Sequence, residues 1–387
     1  MATSHLPATI PRLSVTATVR TGTTFLSPPL NILKTKTAAL KLTDHKSSKW
    51  VFRLRSVAQE EIPPKPTTSD TQKLVDFLYE DLPHLFDDQG IDRTAYDELV
   101  KFRDPITKHD SINGYLFNIS MLKKLFRPDF QLYWAKQTGP YEITTRWSMV
   151  MTFVLIPWKP ELVFTGTSVM GINPETNKFC SHVDYWDSIE NNDYFSMEGV
   201  LDVVKQLRFY KTPDLETPKY QILKRTAHYE VRKYDPFIIV ETNGDKLSGS
   251  SGFNSVAGYI FGKNSAAEKI PMTTPVFTEV VDPEMSKVSI QIVLPSDKDK
   301  NSFPEPNEAE ISLRKVEGGI AAVSKFSGKP TEDIVREKEK ALRSQLNKDC
   351  LKPKAGCLFA RYNDPGRTWS FTMRNEVLIW LEEFSMD

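Results

Sequence analysis

From Ser69 to Phe86 the apolar residues Leu74, Val75, Leu78, Tyr79, Leu82 and Phe86 recur at helical spacing, behind a capping position at Ser69 or Asp70. One face of this helix is apolar and needs a partner. Two further stretches, "RTAYDELVKF" and "GYLFNISMLKKLF", read as helices. The period then changes to two: Tyr141, Ile143, Thr145, Trp147, Met149, Met151, Phe153 and Leu155 alternate along a long strand with one apolar face. "ELVFTGTSVMGINPETNKFCSHVDYWDSI" adds two strands around a turn at Asn173 to Asn177, and "MEGVLDVVKQL" a closing helix. Helices followed by a curved antiparallel sheet predict an α+β cone.

The proline-rich segment "YKTPDLETPKY" separates this half from a second one that repeats itself. "YEVRKYDPFIIVE" and "ISLRKVEGGIAAVSKF" share an apolar-Arg-Lys step, a turn and a strand, with Arg232 and Lys233 aligned to Arg314 and Lys315. Each copy continues into a helix and two more strands. A unit used twice predicts a pseudo-twofold α+β domain whose strands pair across the copies. The helix "TEDIVREKEKALRSQL" is charged, with Thr331 as N-cap, and reads as a solvated cover. Its counterpart, Ser251 to Phe261, carries almost no charge, and Phe253, Val256, Ala257, Ile260 and Phe261 make one apolar face. Either that helix is wholly buried or part of it lines a groove for a flat apolar ligand. Beyond it, Gly262 and Asn264 suit a left-handed stop, and Pro271 and Pro275 predict an edge or bulged strand with Met272 as adaptable lining.

Composition changes the picture at the N-terminus. Up to Ser56, nine Lys and Arg face the single acid Asp44, amid dense Ser and Thr. That is the composition of an organelle transit peptide, expected over residues 1–57 and directing the protein to the plastid stroma, with a linker at 58–69. The remainder carries roughly −8, which argues against nucleic-acid binding. No apolar run reaches bilayer length, so no transmembrane segment is expected. Cys180, Cys350 and Cys357 show neither CxxC nor CxxCH spacing, so no metal site and no covalent haem attachment are expected.

In the first half, the element order together with "GTSVMGINPETNKFCSHVDYWDSI" resembles a plastid and cyanobacterial branch of the nuclear-transport-factor-2-like superfamily, over residues 70–210. The resemblance implies a cone enclosing a pocket. His182, Asp184 and Trp186 fall on one strand face, so an imidazole and a carboxylate there form the acid and base of an alternative reading, a small-molecule isomerase or hydrolase. The competing reading is a rim hydrogen-bond pair with Trp186 in the core.

In the second half, after the linker at 211–219, "YEVRKY", "GYIFGKNSAAEKIPMTTPV" and "YNDPGRTWSFTMRNEVLIWL" are similar to the SOUL haem-binding family, over about residues 220–384 of a domain expected at 220–387. The resemblance implies a distorted antiparallel barrel with two flanking helices. It also implies non-covalent, reversible binding of haem or another tetrapyrrole between the first helix and the loop Asn363 to Met373. The family's ligand face falls on Phe253, Val256, Ala257, Ile260 and Phe261. A porphyrin also needs a cation at its propionate rim and aromatic contact, which Lys263, Arg367, Arg374, Trp369 and Phe371 supply. The histidine proposed as iron ligand in some members is replaced by Lys233, so binding is expected to rest on apolar contact and to tolerate metal-free or magnesium porphyrins. These features imply a carrier or buffer rather than an enzyme, delivering to an enzyme of haem synthesis or degradation.

Overall fold

A computed structural model describes residues 68–244, 250–280, 287–364 and 366–386. The basic segment 1–57, and the linker before residue 68, lie outside the described residues.

The N-terminal lobe comprises α1 (Thr68–Asp81), β1 (Tyr96–Arg103), β2 (Lys108–His109), α2 (Ile112–Leu125), β3 (Phe126–Gly139), β4 (Glu142–Phe153), β5 (Glu161–Ile172), β6 (Phe179–Trp186) and α3 (Met197–Gln206). Its sheet runs β2-β1-β6-β5-β4-β3, antiparallel except where β1 meets β6. The helices at 68–81, 112–125 and 197–206 and the strands after Tyr141 are those the periodicity predicts. Two elements differ. "RTAYDELVKF", expected to be helical, is strand β1 after a short 3-10 turn, because Lys101, Phe102 and Arg103 pair in register with Ser181, His182 and Val183. Tyr96, Val100 and Phe102 thereby enter the core, and non-local pairing outweighs weak local helix propensity. Strand β3 is an additional edge strand that carries Pro128, and alternation along it is lost after Gln131, where Leu132, Tyr133 and Trp134 are all half-buried.

The C-terminal lobe comprises β7 (Tyr220–Arg225), β8 (Glu230–Tyr234), β9 (Phe237–Gly244), α4 (Ser250–Ile260), β10 (Val276–Val280), β11 (Val288–Val293), β12 (Ile311–Val316), β13 (Gly319–Phe326), α5 (Glu332–Lys348), β14 (Cys357–Arg361) and β15 (Asn375–Trp380). Its antiparallel sheet runs β12-β9-β11-β10-β14-β15-β13-β8-β7. The order is symmetric about the β10–β14 pair, and the first strands of the two copies are exchanged: β8 joins β13, and β12 joins β9. This is the cross-copy pairing expected from the repeat. Helix α4 packs on β9 and β11, while α5 lies over β13 and β15. Strand β10 is interior, paired on both sides, and corrects the edge-strand expectation. Pro271 and Pro275 precede the ladder, so neither removes a ladder donor.

A buried ion network crosses the C-terminal core. Arg232 meets Glu376 through two hydrogen bonds of 2.9 and 3.2 Å and Glu230 through one of 2.8 Å. Glu376 also accepts from Tyr362 at 2.8 Å and from Arg374 at 2.8 and 3.1 Å. The Arg232 and Glu376 side chains are both 0% exposed, so every charge here depends on its partners.

The lobes meet along β7. Arg225 forms a bidentate bridge to Asp202 of α3 at 2.9 and 2.8 Å, its amide donates to the Thr165 hydroxyl at 2.8 Å, and Tyr133 donates to the Ile222 carbonyl.

Candidate functional site

The face predicted on α4 divides in two. Val256 and Ile260 are 0% and 3% exposed and pack with Val240, Ile290 and Ile292, so they hold the helix to the sheet and are unavailable to a ligand. Tyr259, off the predicted stripe, is equally buried and donates to the Pro304 carbonyl at 2.7 Å. Phe253, Ala257 and Phe261 form an i, i+4, i+8 row instead, in which the two phenylalanines are 37% and 57% exposed and Ala257 lies at the margin of the core. The sequence overestimates the ligand face because both rows are apolar.

The chain turns after α4 at Gly262, whose φ of +103° is left-handed. Asn264 stops the helix differently from expectation: its side chain amide donates to the carbonyls of Tyr259 and Glu268 at 3.0 and 2.7 Å. The Lys263 stem lies against Gly258, where an added Cβ would stand 3.0 Å from Lys263 Cδ. No carboxylate pairs with the exposed Lys263 ammonium among the described residues. The Ile270 amide then donates to the Ile260 carbonyl at 2.9 Å, and Thr274 Oγ1 to the Tyr362 carbonyl at 3.5 Å. Segment 270–275, with Met272 exposed, therefore joins the end of α4 to the loop between β14 and β15. On that loop Trp369 and Phe371 are 75% and 62% exposed and meet edge to face at 5.9 Å. Arg367 is exposed, 3.7 Å from Asp364. Arg374 departs from its predicted rim role: Glu376 engages it, it lies 4.1 Å over the Tyr362 ring, and although burial alone would lower it, those neighbours hold its guanidinium charged. Of the predicted ligand set, Phe253, Phe261, Lys263, Arg367, Trp369 and Phe371 are presented to solvent, whereas Val256, Ile260 and Arg374 are consumed by the fold.

Sequence reasoning missed the linker. The Lys211 amide donates to the Thr372 carbonyl at 2.8 Å, while the Thr274 and Ser296 amides donate to the Glu216 carbonyl and carboxylate, both at 2.9 Å. The linker thus runs from the β14–β15 loop to segment 270–275. It covers a cavity of about 230 Å³ walled by Tyr220, Tyr234, Phe277 and Tyr362. Its prolines announced a spacer, but nothing in their pattern announced a wall. His228 lies elsewhere, in a polar cavity of about 360 Å³ between the lobes, beside Arg225 and Tyr210.

In the N-terminal lobe a cavity of about 60 Å³ contains both His182 and Asp184. Trp147 donates to Ser168 Oγ at 2.7 Å, Ser168 donates to Asp184 Oδ1 at 2.6 Å, and the same oxygen lies 3.0 Å from His182 Nε2. Tyr115 OH lies 3.1 Å from His182 Nδ1. Both imidazole nitrogens are thus occupied, consistent with a tautomer that donates to Asp184 and accepts from Tyr115. Trp186 packs on Phe164 at 4.6 Å in the adjoining core. Asp104 also lines the cavity; burial, opposed by the Thr107 amide and reinforced by Asp184, pushes its carboxyl up to about 6. A raised carboxylate opposes folding once ionised, so this effect grows as pH rises from about 4 past 6. Asp104→Asn is expected to raise Tm at pH 8, by no more than about 3 kcal/mol of stability, with little gain at pH 4. Equal gains at both pH values in thermal melts would contradict this.

Comparison with known proteins follows the same division. The SOUL heme-binding protein family matches residues 215–380, and an uncharacterized conserved protein family, DUF2358, matches residues 72–182. Heme-binding protein 2 of Mus musculus is 29% identical over 140 residues, 34% of this chain and 64% of that protein, a little under two thirds of its length. Heme-binding protein 2 of Homo sapiens is 30% identical over 148 residues, 35% of this chain and 71% of that protein. Among solved structures, an NTF2-like protein of unknown function from Exiguobacterium sp. 255-15 aligns with a TM-score of 0.24 at 14% identity, over 31% of this chain and 99% of that one.

Proposed function

Because the chain belongs to the SOUL heme-binding protein family, we propose that it binds haem and related tetrapyrroles non-covalently and reversibly, as a carrier or buffer in the plastid stroma. The observation that carries this reading is that Phe253 and Phe261 at α4, Met272 in segment 270–275, and Trp369 and Phe371 on the β14–β15 loop are all exposed, with Lys263, which pairs with no carboxylate among the described residues, two positions beyond Phe261. A porphyrin offers two flat apolar faces for such side chains and propionates for the ammonium. Lys233 stands exposed on β8, and the lobe's sole histidine, His228, lies at the lobe seam, so the groove gains its hold from contact rather than iron ligation. Weak ligation favours release to a recipient enzyme of haem synthesis or degradation. The plastid location rests on the composition of residues 1–57.

The test is a Soret-band titration of residues 58–387 with haemin, protoporphyrin and its magnesium complex. Saturable shifts at micromolar protein, similar for the iron and metal-free ligands, are expected. The absence of a saturable shift with all three would refute the binding function.

A further inference from the structure

We infer that the polar cavity between the lobes is a second ligand site, for a small anion carrying two or more negative charges on oxygen, and that both lobes must contribute to it. Its volume of about 360 Å³ lies in the range of pockets that hold small molecules, and such pockets favour junctions between domains. Six cations line it, Lys159, Lys205, Arg208, Arg225, Lys325 and Arg374, against the carboxylates Glu161, Asp202 and Glu230. That leaves three positive charges in excess. Arg232 and Glu376, which bind members of this wall, cancel each other and do not change the balance.

The pairings decide which cations a ligand can use. Arg225 is held by Asp202 and Arg374 by Glu376, so neither is available. Glu230 is engaged by Arg232 at 2.6 Å, whereas the Lys325 ammonium stands 4.0 Å from it, beyond hydrogen-bond reach. Lys325 finds no other acceptor among the described residues, and its side chain is 32% exposed at the cavity wall. Burial lowers its ammonium from the ordinary value; Glu230 opposes this, and Arg374 and Arg232 add to it. An anion in the cavity offsets that loss. Arg208 gives one N–H to Ser327 Oγ and has no carboxylate partner among the described residues, which leaves part of its fork for a ligand oxygen. The two meet at one ring: the Arg208 guanidinium lies 5.6 Å and the Lys325 ammonium 5.9 Å from the centre of Tyr210. Arg208 follows α3 in the N-terminal lobe and Lys325 stands on β13 of the other, so an anion held by both fastens the lobes together. A single carboxylate would answer only one of the three excess charges, and a porphyrin would find charge where it needs flat apolar contact.

Calorimetric titration of residues 58–387 with pyrophosphate and with citrate, at fixed ionic strength, tests the site and tells a phosphate ligand from a carboxylate one. Saturable one-to-one binding of at least one of them at sub-millimolar concentration is expected, with haemin affinity unchanged in its presence. Lys325→Met and Arg208→Gln should each weaken that binding about tenfold, while Lys300→Gln, outside the cavity, should not alter it. Should Lys325→Met fail to fold, as judged by near-UV circular dichroism, Lys329→Gln is no substitute, and Lys325→Gln takes its place. Failure of both anions to saturate at millimolar concentration, equal weakening by Lys300→Gln, or competition with haemin would overturn the proposal. An effect confined to the variant of one lobe would overturn the claim that both contribute.

Discussion

Glu376→Ala is expected to destabilise the C-terminal lobe by about 3–5 kcal/mol, because it leaves Arg232 and Arg374 buried without their shared carboxylate. For a lobe of this size the loss corresponds to roughly 6–20 °C in Tm. The direction with pH follows from the same charges. Burial alone would raise Glu376 and Glu230, but Arg232 and Lys325 outweigh it and hold both low, Glu230 to about 2. A depressed carboxylate contributes stability that is fully present above the unfolded value of 4.5 and lost as pH falls through the folded one. Acid unfolding of the wild type between pH 4.5 and 2 should therefore be steeper than that of Glu376→Gln. Thermal melts showing less than about 1 kcal/mol lost in Glu376→Ala would mean that the arginines find other partners.

The second large effect separates two neighbouring residues. Ile260→Asp should unfold the lobe, since it puts an unpaired carboxylate at a site 3% exposed among Val240, Ile290 and Ile292, at a cost of about 4 kcal/mol or more. Phe261→Asp alters a side chain that is 57% exposed, so the melt should stay near wild type. Haemin affinity, however, should fall about tenfold or more, through lost ring contact and repulsion of the propionates. Wild-type haemin binding by Phe261→Asp would remove the outer row of α4 from the site. The pair shows why position on the helix matters more than hydrophobicity for choosing a binding variant.

The sequence makes legible what local period and repetition control. Helices α1, α2, α4 and α5, strands β4 to β6, and the exchange of strands between the two copies all follow from spacing. Strand β1 was not legible, since "YDELVKF" has the spacing of a helix, though only weak propensity for one, and becomes a strand by lying beside β6. The candidate site was half legible. The loop aromatics Trp369 and Phe371 can be read directly, but the side chains that α4 turns inward depend on β9 and β11, and the capture of Arg374 depends on Glu376. Likewise His182 and Asp184 were visible as a pair, whereas Arg208 and Lys325, far apart in sequence, come to one cavity only through the fold.

The linker between Lys211 and Thr217 bears on how this protein is dissected. A fragment beginning at Tyr220 discards the acceptors of Thr274 and Ser296, and uncovers the aromatic basin of about 230 Å³ around Tyr234, Phe277 and Tyr362. Such a fragment presents a surface of tyrosine hydroxyls and Arg374 that the intact chain keeps roofed. Ligand stoichiometry measured on it includes whatever that uncovered surface adds, so the number of tetrapyrroles bound per chain is to be measured on the uncut protein.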